Sequence, residues 1–350
     1  MLRVVRVLGF IVLVLVILVG LVVGGSAVIS PPGAGKSIAQ NLSIPYPAVI
    51  AHRGASSLAP EATAPAYELA RDMGADYLEI DVQRTADDVL IVFHDETLDR
   101  TTNIATVFPG REDDHINTFT YDELLELDTG SWFNKAYPDR AQPAYEGLTI
   151  LTLEEVITIA EEGNNNPGLY LETKDAPLYP GIEVQILQHL DRRGWVQDPP
   201  ALQTPDLEKN QQLGAPCINT AATPARVIFQ SFHPESIIRF KNLAPHIPRI
   251  LLISEDMEEE YSWESLLDVA ETSADGVGPV GYLAWPWNVG SAHRKGLLVH
   301  PYTINEEWQM RLLSFFGADG LFTDNSELAI EVLDRGGPVD LEALLAKNSY

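Results

Sequence analysis

Between residues 48 and 324 of this 350-residue chain, short apolar runs alternate with stretches of helical periodicity, and this alternation limits the possible fold more than any other feature. The runs are AVIAHRG, ADYLEIDVQRT, GLYLETK, RVIFQSF, RILLIS, ADGVGP, LLVHPYT and GLFTD. Among them lie Ala64 to Met73, Glu183 to Arg192, Pro234 to Leu243, Trp263 to Ala270 and Glu306 to Phe316, whose apolar residues recur at helical spacing. Strands separated by helices pair in parallel, because the helix carries the chain back to the same end of the sheet. Eight such repeats predict an α/β fold, a closed (β/α)8 TIM barrel.

Two places depart from the repeat. DVLIVFHD follows an Asp87-Asp88 turn signal and reads as the return arm of a hairpin with the second strand. From about Leu98 to Ile150 the chain holds one helix-like stretch, Tyr121 to Leu127, among loop residues. That is too long for an ordinary connection, so a lid or subdomain inserted after the second strand, beside the active face, is expected. A further polar stretch, Gln197 to Ala225, reads as a surface excursion.

At the N-terminus, Arg3 and Arg6 precede an apolar run from Val7 to Val23, and Gly-Gly-Ser-Ala follows it. The layout is that of an export signal. Its length lies between a signal-peptide core and the roughly 20 residues that span a bilayer. Residues 1–29 are therefore expected to be a signal peptide or signal anchor, 30–46 a Pro-, Gly- and Ser-rich linker, and 47–350 the barrel with its insert at about 98–150. The expected location is extracytoplasmic, either secreted or membrane-anchored through residues 7–23.

Fifty acidic against 23 basic residues give a formal charge of −27, which argues against nucleic acid and against basic-patch binding to anionic membranes. A single cysteine, Cys217, excludes an intrachain disulfide framework and a cysteine-rich zinc site. No feature indicates a protein partner.

Barrel active sites gather at the C-terminal ends of the strands. There the first run closes on His52-Arg53, the second carries Glu79 and Asp81, the hairpin arm closes on His94-Asp95, and the third run closes on Glu172 and Lys174. Residues two apart on a strand share a face, so Glu79 with Asp81, and Glu172 with Lys174, can look into one mouth. Three converging carboxylates call for a cation, and an all-oxygen set selects Ca²⁺ or Mg²⁺ over zinc. The plain structural alternative is a buried ion-pair network of Glu172 with Arg53 and Lys174. Two histidines beside an arginine and a lysine suit proton transfer on a phosphodiester, with the arginine fork and the lysine charge holding the phosphate.

The segments HRGASSLAPEAT, YLEIDVQRTADDVLIVFHDETLDRTTN and YLETK together resemble the glycerophosphodiester phosphodiesterase family, and QSFHPESI, ADGVGP, LVHPYTIN and GADGLFTDNSE extend the likeness to about residue 334. It is nearest to the exported, calcium-using bacterial branch. The resemblance implies hydrolysis of glycerophosphodiesters such as glycerophosphocholine to glycerol 3-phosphate and an alcohol. It also implies metal ligands at Glu79, Asp81 and Glu172, catalytic histidines at His52 and His94, and phosphate contacts at Arg53 and Lys174. One divalent cation is expected, Ca²⁺ ahead of Mg²⁺. Glu61 and Trp132 are weaker supporting or pocket positions, His233 a supporting or helix-cap residue, and Trp285 and Trp287 packing residues that could line the leaving-group side. Relatives usually read Pro-Glu-Asn or Pro-Glu-His where this chain has Pro60-Glu61-Ala62, so a hydrogen-bonding side chain is missing. Alternatives to the leading reading are phospholipase-D-like hydrolysis of lysophospholipids and a non-catalytic barrel that binds cations or phosphodiesters.

Overall fold

The computed structural model describes residues 33–196, 225–336, 339–348 and 350. The N-terminal apolar run, Cys217 and all but the last residue of the Gln197 to Ala225 stretch lie outside them. Among the described residues no helix is long and apolar enough to cross a membrane.

All eight predicted runs form strands: β1 (Ala48–Ala51), β2 (Tyr77–Arg84), β5 (Gly168–Thr173), β6 (Val227–Ser231), β7 (Arg249–Ile253), β8 (Gly276–Pro279), β9 (Leu298–Val299) and β10 (Gly320–Thr323). They are parallel neighbours in the order β10-β1-β2-β5-β6-β7-β8-β9. Between β9 and β10 the ring closes through less regular bonds, Asp319 N–H to Val299 O at 2.9 Å and Phe322 N–H to Pro301 O at 3.1 Å. The arrangement is consistent with a (β/α)8 barrel. The five predicted helices are present within one or a few residues of their expected ends.

Side chains sort by strand parity into two cores. Ile50, Tyr77, Tyr170, Ile228, Ile250 and Phe322 belong to one cluster, whereas their neighbours Val49, Leu78, Leu169, Phe229, Leu251 and Leu321 belong to the cluster shared with the helices. The first set faces the barrel interior and the second faces the helical layer. On β8 the inward positions are Gly276 and Gly278, and a Cβ on Gly276 would come within 2.6 Å of Ile250. Full-sized neighbours leave no room for a side chain there.

The linker expected over 30–46 is corrected from Lys36 onward. Lys36–Leu42 is a helix, and its Ala39, with Ile44 just beyond, joins the barrel-interior cluster beside Ala48 and Tyr77, the first residues of β1 and β2. The segment thus plugs the N-terminal end of the barrel. Ile38, Ala39, Leu42 and Ile44 supply the apolar stripe that the Pro- and Gly-rich residues before it obscure.

The hairpin arm is β3 (Leu90–Val92), antiparallel to β2, and the turn places Asp88 at φ +65°. A strand not anticipated from sequence, β4 (Leu151–Thr152), pairs antiparallel with β3 and brings the chain back from the insert. The insert carries short helices, including Tyr121–Leu124 with a Thr120/Glu123 capping box, and its own core of Leu98, Ile104, Ile116, Phe119, Leu124 and Leu127 packed on β3.

Candidate active site

Parity on β2 continues upward from Tyr77 to Glu79 and Asp81, and on β5 from Tyr170 to Glu172, so the inward rows change from aromatic at the bottom to acidic at the mouth. Glu79 and Asp81 are 1% exposed and Glu172 is 5% exposed. One ligand oxygen from each lies within 4.8 Å of the others, a group that could hold a metal ion. Burial, with Asp81 and Glu172 alongside, pushes the Glu79 carboxyl well above the usual carboxylate range. Burial also raises Glu172, against the pull of Lys174. Burial raises Asp81 too, but the neighbouring Lys174 and Arg53 charges, with His94 alongside, outweigh it and hold its pKa low.

The donor set fits a hard divalent cation. Asp81 Oδ2 is buried without a hydrogen bond and lies 3.5 Å from Arg53 Nε, which also lacks one. Arg53 offsets that oxygen's charge without bonding it, which leaves the oxygen open to a metal ion. The ion-pair alternative is partly realised, with Lys174 Nζ 3.1 Å from Glu172 Oε1 and 3.9 Å from Asp81 Oδ1. It does not cover Glu79, which accepts only neutral donors, the Arg53 N–H at 2.9 Å and Gln230 Nε2 at 3.0 Å.

Both histidines are held by a carboxylate through Nδ1. His52, immediately after β1, lies 2.7 Å from Asp324 Oδ1, and Asp324 is itself held by Ser56 Oγ at 3.0 Å and Asn305 Nδ2 at 2.6 Å. His94, two residues past β3, lies 2.6 Å from Asp95 Oδ1, while its Nε2 is 3.2 Å from Lys174 Nζ. A carboxylate at Nδ1 places the proton of the neutral ring there and leaves Nε2 as the bare nitrogen. Burial and the Arg53 charge lower the His52 pKa below its ordinary 6.5, against the opposing pull of Asp324.

Arg53 adopts φ +56°, a left-handed conformation that turns its backbone N–H onto Glu79. Gly54 follows at φ +87°, and a Cβ there would strike the Ala66 backbone at 2.6 Å, so only glycine lets the strand end pass so close to the helix Ala64–Met73. Arg53 Nη1 donates to Glu61 Oε1 at 2.8 Å, and Arg100 grips the same carboxylate from the insert side at 2.7 and 2.8 Å. Arg100 also bonds Asp95 at 2.5 and 3.0 Å. Glu61 thus stands beside Arg53, one of the two places its sequence position suggested. It links the Arg53 end of β1 to the carboxylate that holds His94, and Arg100 and Arg53 lower its pKa against the effect of burial.

His52, Arg53, Glu79, Asp81, His94, Glu172 and Lys174 all line one cavity of about 150 Å³, with Gln230, Phe232, Leu252, Tyr302, Thr303 and Phe322 completing it. Trp132 is not in its lining. It packs edge-on against Phe133 and Tyr137 in the insert, with Nε1 on Thr129 O. His233 occupies the N-cap position of the helix Pro234–Leu243. Trp285 and Trp287 stack on each other at 5.2 Å, outside the lining of this cavity, and both remain substantially exposed.

Sequence reasoning missed three residues. Asp324 closes the eighth run as His52 closes the first, and Gln230 lies two residues beyond the inward Ile228, so strand-end position and parity were the available signals. Gln83 continues the inward row of β2, and its Nε2 donates to Phe93 O and to Asp95 O, both at 2.8 Å. It clamps the backbone on either side of His94, a role that carries no local sequence mark.

Comparison with known proteins agrees with this geometry. The profile of the Glycerophosphoryl diester phosphodiesterase family matches residues 52–328. A glycerophosphodiester phosphodiesterase of Bacillus subtilis is 38% identical over 279 residues, covering 80% of this chain and 84% of the relative. The solved structure of an Oleispira antarctica phosphodiesterase, in complex with the product sn-glycerol-3-phosphate, superposes with a TM-score of 0.61 at 27% identity, covering 83% of this chain and 97% of that one. A Silicibacter pomeroyi structure gives a TM-score of 0.65 at 24% identity, covering 82% and 93%, a likeness of fold. With more than three quarters of its length inside the match, and every residue of the cavity with it, the chain belongs to the glycerophosphoryl diester phosphodiesterase family.

Proposed function

We propose that the protein hydrolyses glycerophosphodiesters, such as glycerophosphocholine and glycerophosphoethanolamine, to sn-glycerol 3-phosphate and an alcohol. The observation that carries this reading is the convergence of two carboxylate-held histidines on a cavity whose floor is a buried three-carboxylate cluster. Glu79, Asp81 and Glu172 would hold one divalent cation, and Ca²⁺ is placed ahead of Mg²⁺ on the resemblance of the sequence segments to the exported, calcium-using branch. Bound there, the cation supplies Lewis-acid polarisation of the phosphoryl oxygens and offsets the clustered negative charge.

Arg53 and Lys174 add the positive charge that an anionic substrate needs at a protein of charge −27. In the first step the glycerol 2-hydroxyl attacks phosphorus. One histidine Nε2 takes its proton while the other, protonated, gives a proton to the leaving oxygen as the P–O bond breaks. Water then opens the cyclic phosphodiester with the two roles exchanged, restoring both rings. Lys174, now against His94 Nε2, must swing toward the phosphate for that nitrogen to work. The proposed site of action is extracytoplasmic, supported by the basic-then-apolar pattern of residues 3–23.

The test is a substrate panel on the purified protein with Ca²⁺ or Mg²⁺. Glycerol 3-phosphate should appear, a chelator should stop its release, and His52→Ala and His94→Ala should each abolish turnover. Absence of any phosphomonoester with either metal would overturn the reading.

A further inference from the structure

A second concavity of about 380 Å³ opens beside the catalytic cavity, and Tyr302 and Thr303 line both. It runs between the loop after β8 and the helix Glu307–Phe316. Aromatic rings dominate its walls: Tyr282, Trp285, Tyr302, Trp308 and Phe316. Trp285 is braced by stacking on Trp287 and by a 5.8 Å contact with Phe316. Tyr282, Trp285 and Trp308 are nonetheless 49%, 43% and 62% exposed, an unusual density of wet aromatic surface for so acidic a protein.

The lining contains no charged residue, but its edge is negative. Glu255 bonds the Tyr282 side chain, and the charges of Glu258 and Glu259 also reach it, from the helix Glu255–Glu260, where five of six residues are acidic. Ring faces and an acidic margin together favour a weakly hydrated cation. A primary ammonium holds its water more tightly and gives up more of it against ring faces than a quaternary one does, and an acyl chain would gain nothing from the carboxylates.

Resting on the hydrolysis proposed above, we infer that this groove is the leaving-alcohol subsite and that it selects a quaternary-ammonium alcohol of the choline type. Its continuity with the cavity through Tyr302 and Thr303 lets one substrate span both.

The experiment compares kcat/KM for glycerophosphocholine, glycerophosphoethanolamine, glycerophosphoglycerol and lysophosphatidylcholine on the wild type, Trp308→Ala and Trp308→Phe. The full chain with metal is used throughout, and tetramethylammonium quenching of tryptophan fluorescence gives a readout independent of turnover. The wild type should prefer the choline ester over the glycerol ester by about fivefold or more. Trp308→Ala should shrink that ratio severalfold and weaken tetramethylammonium binding, and Trp308→Phe should restore both. A ratio near one in the wild type, or one untouched by Trp308→Ala, overturns the inference. Preference for the acylated lipid also overturns it and assigns the groove to an acyl chain. If no diester is cleaved, the hydrolytic reading fails, and the tetramethylammonium titration alone then decides whether the groove binds the cation.

Discussion

His52 can carry a proton only while its Nε2 is bare, and Asp324, 272 residues away in sequence, fixes that state. Asp324→Asn leaves a group of the same shape that no longer enforces the tautomer or stabilises the imidazolium, and kcat should fall by about 10²-fold or more. The sign of the pH effect follows from the charge. Asp324 raises the His52 pKa, so its removal drops that pKa further below 6.5. The limb of the kcat/KM profile that His52 sets, acidic if it is the base and alkaline if it is the acid, should therefore move to lower pH. Ala62 is the second case at this scale. It adopts φ +57° with its N–H on Arg53 O at 3.0 Å, a left-handed conformation that costs alanine about 1 kcal/mol and that asparagine tolerates. Ala62→Asn should raise Tm by about 2 °C as well as raising turnover, measured by calorimetry and initial rates. A rise in Tm alone would assign the position to backbone geometry rather than to a missing donor.

Among the elements, the β2–β3 hairpin does the most to assemble the site, because it delivers Glu79 and Asp81 on one arm and His94 beyond the other. Gln83 joins the arms, donating to Phe93 O and Asp95 O while accepting from the Tyr179 hydroxyl at 2.8 Å. Gln83→Leu would leave two carbonyls and a hydroxyl without this partner, a loss of about 1–3 kcal/mol each where burial is complete. The expected result is a lower denaturation midpoint together with a kcat loss of about 10-fold or more as His94 drifts. Unchanged kcat in a folded variant would show that Asp95 and Arg100 hold His94 without the clamp. The hairpin was legible because Asp87-Asp88 sits between two apolar arms, and β1 was legible because four apolar residues run into His-Arg-Gly. β4 was not, since two residues carry no periodicity and pair only because the insert returns to β3.

Over the whole molecule, function and stability are placed at opposite ends of one barrel. The catalytic groups crown the C-terminal ends of the strands, and the helix Lys36–Leu42 with Ile44 seals the other end. Burying Ile44 alone contributes about 1.5–3 kcal/mol. A chain starting at residue 46 should therefore melt about 5–10 °C below one starting at residue 33, with kcat/KM little changed at temperatures where both are folded. A large kinetic change at such temperatures would show that the plug also shapes the mouth.

The sequence by itself determined the eight parallel strands, the parity that puts Glu79 beside Asp81 and Glu172 beside Lys174, and the residue types at the first strand ends, because these follow from local periodicity. Tertiary structure alone decided which groups distant in sequence meet them. Asp324 reaches His52 only because β10 pairs with β1, Gln230 reaches Glu79 only across β5, and Glu61 meets Arg100 only because the start of the insert lies beside the loop that follows β1. Such pairings depend on which strands and loops become neighbours, which has no signature in any local stretch. The aromatic groove shared through Tyr302 is of the same kind, since its walls come from the loops after β8 and β9 and from the helix that follows.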